Sequence, residues 1–481
     1  MGQMINIDFG NSYTKVGVRT DGNELSTPLS DNVLEFDDGL NICIPTLAAR
    51  VLRKGKEHWV YGSEILEIGN SQGVEVLRNW KPNFFNGSST PLKGIPQAKI
   101  PAFATMKKLS ESELQHFMDS LNLNEKQRAA LEDLKNGEDE PDPGQTDLDT
   151  KEIGLKYFRW LRAFLEGICT RRGIDLRKTP TRINLPSFGA KTTAEDLLIE
   201  ILSEAGWKIA PNHPALPEPV ANAIGVFSEG RNILWRPKRT EDQFPDYPGM
   251  FGTNEFIKAA RKRFESRYNQ RMYWVLVVDL GGYTLDIAMV GFDLEEIDIP
   301  LNGKYQGKQR LATLSEKIGI RALDDKVKSI LPEEKQKLID ELLQDPDPRR
   351  VEAFHRFLYQ RGRPFHISRQ LIGQKEEGEA IQEVVSNFAH ECAKHVEDFI
   401  TMHQYTRIDD VVMTGGGCNI PQVRDAIVGL LQGYRLKNAY VPALAAEEKN
   451  LPPKCQRLKP LLVRGATAIG GTSVFFDYNG E

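Results

Sequence analysis

Near its start the chain reads Ile5-Asn6-Ile7-Asp8-Phe9-Gly10-Asn11-Ser12-Tyr13-Thr14, which is typical of a buried strand that ends in aspartate, a glycine turn and a second strand. Past its middle it reads Val277-Val278-Asp279-Leu280-Gly281-Gly282-Tyr283-Thr284, which follows the same plan. An apolar strand can carry a carboxylate to its end only where water, a metal ion or a partner compensates the charge. Glycine lets the backbone present its N–H groups to an anion. Two such hairpins facing each other would bind a polyphosphate and its metal ion.

The bulk composition is that of an ordinary globular protein with room for two or more domains. The chain has 481 residues, of which 40% are hydrophobic and 27% charged, and this length is enough for more than one core. Its formal net charge of −5 argues against a protein built to coat nucleic acid or an anionic membrane.

The cysteines and the apolar segments predict a cytoplasmic protein. The five cysteines form no CxxC pair, and their odd number fits poorly with a disulfide framework, so we expect reduced thiols. No basic stretch followed by an apolar run opens the chain, and no run of 18 apolar residues occurs. We therefore expect no association with a membrane.

Two segments interrupt an alternation of strands and helices. Short β-rich runs fill residues 4–102, and helical periodicity then alternates with buried strands as far as 410–414. The pattern predicts an α/β protein with largely parallel sheets in two domains that face a cleft. The interruptions are 103–152, which ends in an acidic tail, and 231–272, which is rich in lysine and arginine. A charged helical region is predicted over 313–378.

A third glycine-rich stretch follows the buried strand at 411–413. It reads Gly415-Gly416-Gly417-Cys418-Asn419-Ile420-Pro421-Gln422-Val423 and opens a helix. Backbone without side chains allows a flat ligand to lie against it. A glycine triplet alone is weak evidence, because many such triplets are plain turns.

The order of these motifs resembles the actin and heat-shock chaperone ATPase superfamily. The two hairpins are similar to its phosphate motifs, and 411–423 to its adenosine motif. Residues 183–225 resemble the first connecting segment of DnaK-type chaperones, and 464–470 resemble the last connecting helix. The chain is most similar to the nucleotide-binding domain of those chaperones.

The resemblance implies a fold and a domain plan. The fold would be two duplicated ribonuclease-H-like domains, as in actin-like ATPases, that flank a nucleotide cleft and carry insertions. The first lobe would span 1–225 with the insertion at 103–152, and the second lobe 226–460 with the insertion at 231–272. Residues 461–481 would form a connecting helix that returns to the first lobe.

The resemblance also implies ATP or ADP and Mg²⁺ as cofactors, with roles for individual residues. The metal would be held, partly through water, by Asp8, Glu218 and Asp279. The catalytic residues would be Asp8, Lys81, Glu218, Asp279 and Thr284. The nucleotide would be bound by Gly10, Asn11, Ser12, Tyr13, Lys15, Gly281, Gly282, Tyr283, Thr284, Gly415, Gly416, Gly417 and Asn419.

Several residues depart from the chaperone pattern and leave alternatives open. Tyr283 stands where DnaK-type chaperones have a third glycine, and the run Tyr283-Thr284-Leu285-Asp286-Ile287 is more similar to plasmid-partitioning actins. Lys15 resembles the phosphate-binding lysine of actins. Lys15 and Lys81 would share the contact with the terminal phosphate, or Lys15 alone would make it, and Lys81 could instead be a surface lysine. Glu218 lies between two prolines and could merely border a loop.

The function implied by the resemblance is a stand-alone, heat-shock-chaperone-like ATPase. It would bind and slowly hydrolyse Mg-ATP, change conformation with the nucleotide, and lack a peptide-binding domain. The alternatives are an actin-like ATPase that forms filaments and a small-molecule kinase, for which no stretch clearly supplies an aspartate base. An unknown protein partner would bind through the two insertions, nucleic acid is not expected, and the state would be a monomer or a nucleotide-dependent oligomer.

Overall fold

The structure is a computed structural model that describes more than half of the chain. The described residues are 3–19, 43–53, 56–65, 74–85, 95–96, 149–190, 192–211, 213–222, 272–293, 310–343, 348–355, 358–359, 375–436, 438–440 and 465–472. Both predicted insertions lie outside these ranges except at their last residues. Residues 149–152 lead into and begin a helix, and Met272 begins a strand, so both segments end earlier than predicted.

Strands and helices alternate along the described residues. The strands are β1 Met4–Phe9, β2 Tyr13–Arg19, β3 Ile44–Pro45, β4 Ala48–Arg53, β5 Lys56–Tyr61, β6 Val74–Leu77, β7 Ile95–Pro96, β8 Thr181–Leu185, β9 Ala215–Pro217, β10 Met272–Leu280, β11 Leu285–Asp293, β12 Arg310–Glu316, β13 Asp410–Thr414 and β14 Asn438–Tyr440. The α-helices are α1 Thr150–Arg171, α2 Thr193–Glu204, α3 Ile320–Ser329, α4 Glu333–Leu343, α5 Pro348–His355, α6 Lys375–Met402, α7 Pro421–Gln432 and α8 Ala466–Gly470.

Two five-stranded sheets have the same strand order and the same orientations. The first sheet has the order β3-β2-β1-β8-β9, and the second has the order β12-β11-β10-β13-β14. In each sheet a hairpin pairs antiparallel at the centre, and the next two strands add in parallel. The α/β class is therefore confirmed. The expectation of largely parallel sheets is wrong, because the hairpins introduce antiparallel neighbours.

A third sheet, of four antiparallel strands, follows the first hairpin in the chain. Its order is β5-β4-β6-β7. The short runs predicted over 4–102 thus form strands of two different sheets.

The central strand of each large sheet has two faces of different chemistry. In β1, Ile5, Ile7 and Phe9 alternate with Asn6 and Asp8, and the apolar three lie in the first core. In β10, Leu276, Val278 and Leu280 lie in the second core in the same way. Because side chains alternate along a strand, the aspartate next to the last residue of each strand is turned away from the core.

Helices cover the core side of both sheets. Helix α1 begins at the cap Asp149, whose carboxylate accepts from Lys151 N at 2.9 Å, and it buries Ile153, Tyr157 and Leu161 along one stripe. Helices α3, α6 and α7 cover the second sheet. Helices α1, α2 and α6 confirm the helical periodicity that the sequence shows between its buried strands.

The helical region predicted over 313–378 is wrong at its start, because residues up to Glu316 belong to β12. Ala312 and Leu314 pack against the second core, and Ser315 lies on the opposite face. This is the period of a strand, and it covers the first four residues of the predicted region, 313–316, before helix α3 begins at Ile320.

Helix α8 lies directly on the first hairpin. Asn6 Nδ2 donates to the carbonyl of Ala468 at 3.1 Å, and Arg182 Nη1 donates to the carbonyl of Gly471 at 3.0 Å. A Cβ on Gly17 would collide with the carbonyl of Ala468. The absence of a side chain at Gly17 therefore allows the helix to approach the strand this closely.

Membrane-spanning helices and disulfides are not expected from the sequence. None of the helices in the described residues is both long and apolar enough to cross a membrane. The four cysteines among them are buried and form no disulfide. Cys455 lies outside the described ranges.

Candidate functional site

The two central hairpins have the same strand register around their turns. Asp8 pairs across the first hairpin with Lys15, and Asp279 pairs across the second with Asp286. Each turn is closed by one backbone bond, from Gly10 N to the carbonyl of Tyr13 at 3.1 Å and from the matching Gly281 N to that of Thr284 at 2.9 Å. The local sequence therefore builds the same turn twice.

The two turns face each other closely. A Cβ built on Gly282 would lie 3.4 Å from Ser12 Oγ and 4.0 Å from Asn11 Nδ2. Only the space of one small side chain therefore separates the turns at this point. Residues from both hairpins line one cavity of about 530 Å³, a volume within the usual range for small-molecule sites.

The glycine segment 415–417 lies against the second hairpin. Gly415 has φ +78, and a Cβ on it would collide with Asp279 Oδ1 and with the carbonyl of Leu280. A Cβ on Gly417 would collide with the side chain of Leu280, whereas one on Gly416 would have no atom within 4 Å. The segment thus needs glycine at two positions for packing, and its middle residue leaves open space in the cavity.

The structure brings all the predicted site residues to this cavity. Its lining includes Asp8, Gly10, Asn11, Ser12, Tyr13, Lys15, Lys81, Glu218, Asp279, Gly281, Gly282, Tyr283, Thr284, Gly415, Gly416, Gly417 and Asn419. It also includes residues without a role in the sequence-based prediction, among them Asn79, Asp286, Arg321 and Thr467. Residues separated by more than 400 positions therefore meet in one place.

Both candidate phosphate lysines are engaged by carboxylates. Lys15 Nζ lies 2.6 Å from Asp8 Oδ2. Burial disfavours the charge of Lys15, but Asp8 and Asp279 outweigh it, so the pKa of the ammonium is raised. Lys81 is 3% exposed and pairs with Glu218. The alternative that Lys81 is a surface lysine is wrong, and Glu218 is held inside the cavity wall.

Asp279 is half-buried at the end of β10, and its carboxylate has a partner within the protein. Asn222 Nδ2 donates to its Oδ2 at 2.6 Å. Burial raises the pKa of Asp279 to about 7, with smaller effects downward from Lys15 and upward from Asp8 and Glu218. Because the charged form is disfavoured, a bound cation near this carboxylate would be stabilising.

Asp286 is a buried carboxylate beside the turn of the second hairpin. Thr284 Oγ1 donates to its Oδ2 at 2.8 Å, and Ser315 Oγ donates to its Oδ1. Burial, followed by the charges of Glu218 and Asp279, raises the pKa of Asp286 well above its usual range. The repeat itself is the sequence signal for this residue, because Asp286 follows Asp279 at the spacing at which Lys15 follows Asp8.

Two side-chain oxygens in the cavity wall have no hydrogen-bond partner among the described residues. They belong to Asn11 and Asn419, and both are buried. A buried polar atom without a partner is costly. The other end of the Asn11 amide bonds to Asn79 Oδ1 at 2.9 Å. This bond fixes the orientation of the Asn11 amide, so its oxygen is an acceptor available to a donor in the cavity.

The three predicted metal carboxylates fit an ion bound through water better than one bound directly. Within the described ranges, no group of three or more His, Cys, Asp or Glu side chains is arranged to ligate a metal. Asp8 and Glu218 each pair with a lysine, and Asp279 bonds to Asn222. Mg²⁺ keeps several of its waters in many protein sites. The donor set is therefore compatible with a hydrated magnesium ion.

The pKa of Asp279 predicts how the stability of the metal-free protein depends on pH. The folded protein keeps this proton up to about pH 7, whereas an ordinary aspartate releases it near 3.8. The folded state thus binds more protons in this window, so the contribution of Asp279 to stability falls as the pH rises through it. We expect Asp279→Asn to stabilise the protein at about pH 8 relative to the parent, by at most about 4 kcal/mol, and much less at about pH 4.

Thermal unfolding of both proteins in the presence of a chelator measures this difference. The comparison of the variant with its parent removes the effect of the other titrating groups. A stability difference that does not change with pH would show that Asp279 ionises like an exposed aspartate.

No protein-family model matches the chain, and no curated protein matches its sequence.

Proposed function

We propose that the chain is a heat-shock-chaperone-like ATPase that binds and slowly hydrolyses Mg-ATP and changes conformation with the nucleotide. The observation that carries this proposal is the pair of equivalent hairpins. Each ends its central strand with an aspartate beside a glycine turn, and both turns line the cavity that also holds the glycine segment. Two glycine turns beside the open space at Gly416 suit a nucleoside triphosphate.

The same observation supports a finer description of the fold. We infer that the two large sheets are duplicated ribonuclease-H-like domains of the actin-like ATPase class. The identical strand order and the equivalent hairpin register support this inference. Helix α8, which lies against β1 and β2, would then be the segment that returns to the first domain.

Residues of this chain can be assigned to each part of the proposed site. Asp8, Glu218 and Asp279 would hold magnesium through its waters, and the ion would neutralise phosphate charge when bound. The turns Gly10–Tyr13 and Gly281–Thr284 would bind the phosphates with their backbone N–H groups and hydroxyls. The sugar and the base would lie against Gly415–Gly417.

Positive charge in the cavity would favour the reaction. Lys15 lies beside the first turn, and both Lys15 and Lys81 line the cavity and are candidates for the terminal phosphate, each paired with a carboxylate. Asp286 can accept a proton from water, and a raised pKa makes a carboxylate a better proton acceptor near neutral pH. Phosphoryl transfer otherwise depends mainly on positioning and charge compensation.

Calorimetry with Mg-ATP tests the proposal, with two glycine variants as a matched pair. Gly416 and Gly429 both have space for a side chain, since a Cβ on either meets no atom within 4 Å. Gly416 lines the cavity, whereas Gly429 lies in α7 and does not. We expect Gly416→Leu to fold normally and to bind Mg-ATP at least about 10-fold more weakly, and Gly429→Leu to bind like the parent.

Two results of this calorimetry would contradict the proposal. If the parent protein takes up no adenine nucleotide in the presence of magnesium, the proposed function is wrong. If both leucine variants bind equally well, the base does not lie on the glycine segment.

A filament-forming, actin-like ATPase is the second candidate. Lys15 favours it, because this lysine lies in the cavity beside Asp8, where the resemblance to actins implies a phosphate-binding lysine. Head-to-tail contacts between subunits generate filaments. Light scattering at rising protein concentration with Mg-ATP distinguishes the candidates. A sharp concentration threshold is expected of a filament, and none is expected of a monomeric switch.

A further inference from the structure

The helical residues 218–222 connect two carboxylates that line the cavity, Glu218 and Asp279. They follow strand β9 directly. Glu218 and Asn222 are four residues apart, so both side chains project from one face of this helical segment. Glu218 pairs with Lys81, which lies between strands β6 and β7 of the third sheet, whereas Asn222 bonds to Asp279 at the end of β10 in the second sheet.

The side-chain amide of Asn222 makes three hydrogen bonds. Its Nδ2 donates to Asp279 Oδ2 at 2.6 Å and to Thr467 Oγ1 at 3.2 Å, and its Oδ1 accepts from Thr414 Oγ1 at 3.3 Å. The residue is 2% exposed. One side chain thus joins strand β10, strand β13 and helix α8 to the helical segment that carries Glu218.

The orientation of this amide follows from the chemistry of its partner. A carboxylate in its ionised form only accepts hydrogen bonds, and the NH₂ end of Asn222 faces Asp279 accordingly. Both hydrogens of that NH₂ group are then committed, one to the carboxylate and one to Thr467. A change in the position of Asp279 therefore acts on the hydroxyl of Thr467 through one rigid group.

We propose that Asn222 is a positioning residue that holds the Asp279 carboxylate for magnesium-nucleotide binding and couples it to helix α8. This inference rests on the proposed function, because it takes Asp279 as part of the magnesium site. Asn222 itself would not touch the nucleotide, and it does not line the cavity.

Calorimetric titrations of ATP with and without magnesium test the positioning role. We expect Asn222→Ala and Asn222→Leu to weaken binding of Mg-ATP by about 10- to 100-fold, the range for a lost hydrogen bond to a charged group. Binding of ATP in the presence of a chelator should change by less than about threefold. Leucine fills the space that alanine leaves empty, so agreement between the two variants excludes a cavity effect.

Asn184→Ala is the matched control for a lost buried amide. Asn184 is fully buried, accepts from Asn6 Nδ2 at 2.5 Å and donates to the carbonyl of Leu216 at 3.3 Å, all outside the cavity. We expect this variant to lower the thermal stability without altering the dependence of ATP affinity on magnesium. An unchanged magnesium dependence in both Asn222 variants would overturn the positioning role, while Mg-ATP binding by the parent would leave the proposed function intact.

Hydrogen exchange tests the coupling to helix α8. The amides of Ile469 and Gly471 bond to the carbonyls of Gly465 and Thr467 and report the opening of this helix. We expect Mg-ATP to slow their exchange in the parent and not in Thr467→Val, which keeps the side-chain volume and loses the hydroxyl. Equal slowing in both proteins would show that Thr467 does not carry the coupling.

Discussion

Asp286→Asn is expected to lower the rate of ATP hydrolysis by about 100-fold or more while changing the affinity for Mg-ATP by less than about threefold. The carboxylate is buried in the cavity, and its two oxygens are held by the hydroxyls of Thr284 and Ser315. Its neighbours Glu218 and Asp279 help to raise its pKa, which suits a proton acceptor. Asparagine keeps the shape and cannot take the proton. Single-turnover hydrolysis and calorimetry measure the two quantities separately.

Asp340→Asn is the charge-matched control for this experiment. Asp340 is on the wall of the same cavity and bonds to Lys328 at 2.7 Å, and it has no role in the proposed chemistry. Its substitution should change the rate by less than about threefold. If Asp286→Asn hydrolyses ATP at the parental rate, another group accepts the proton.

Gly415→Ala is expected to destabilise the protein by about 3 kcal/mol or more and to abolish nucleotide binding. Gly415 has φ +78 and ψ 156, a conformation that residues with a Cβ rarely adopt. The added methyl group would also collide with Asp279 Oδ1 and with the carbonyl of Leu280. Either the strand end or the glycine segment must then move, and both belong to the site. Thermal unfolding and calorimetry record the two effects.

Gly416→Ala provides the neighbouring control. Gly416 has no left-handed backbone conformation, and its Cβ would have no atom within 4 Å. We expect a change in stability of less than about 1 kcal/mol. Equal destabilisation by the two alanine variants would contradict the close contact between Gly415 and Asp279.

The sequence predicts the local elements of the site because each hairpin is encoded by contiguous residues. Strand burial, a carboxylate at the strand end and glycine in the turn are all visible in ten residues around Asp8 and again around Asp279. Long amphipathic helices such as α6 are visible for the same reason. The α/β class follows from their alternation.

The sequence does not predict the contacts between segments that are far apart in the chain. Asn222, Thr414 and Thr467 have no motif of their own, and only the folded chain brings them to Asp279. The strand orientations also depend on pairing partners far away, so the mixed sheets were not predictable from alternation alone. Burial of Lys81 against Glu218 is a third case, because a lone lysine in a polar stretch is usually exposed.

The two hairpins carry side chains of opposite charge at one matching position. Opposite the strand-end aspartate stands a lysine, Lys15, in one copy and a carboxylate, Asp286, in the other. The charge at this position is therefore opposite in the two hairpins that line the shared cavity. In the proposed site, this difference would give a bound triphosphate a preferred direction, with its terminal phosphate toward Lys15 and the attacking water toward Asp286.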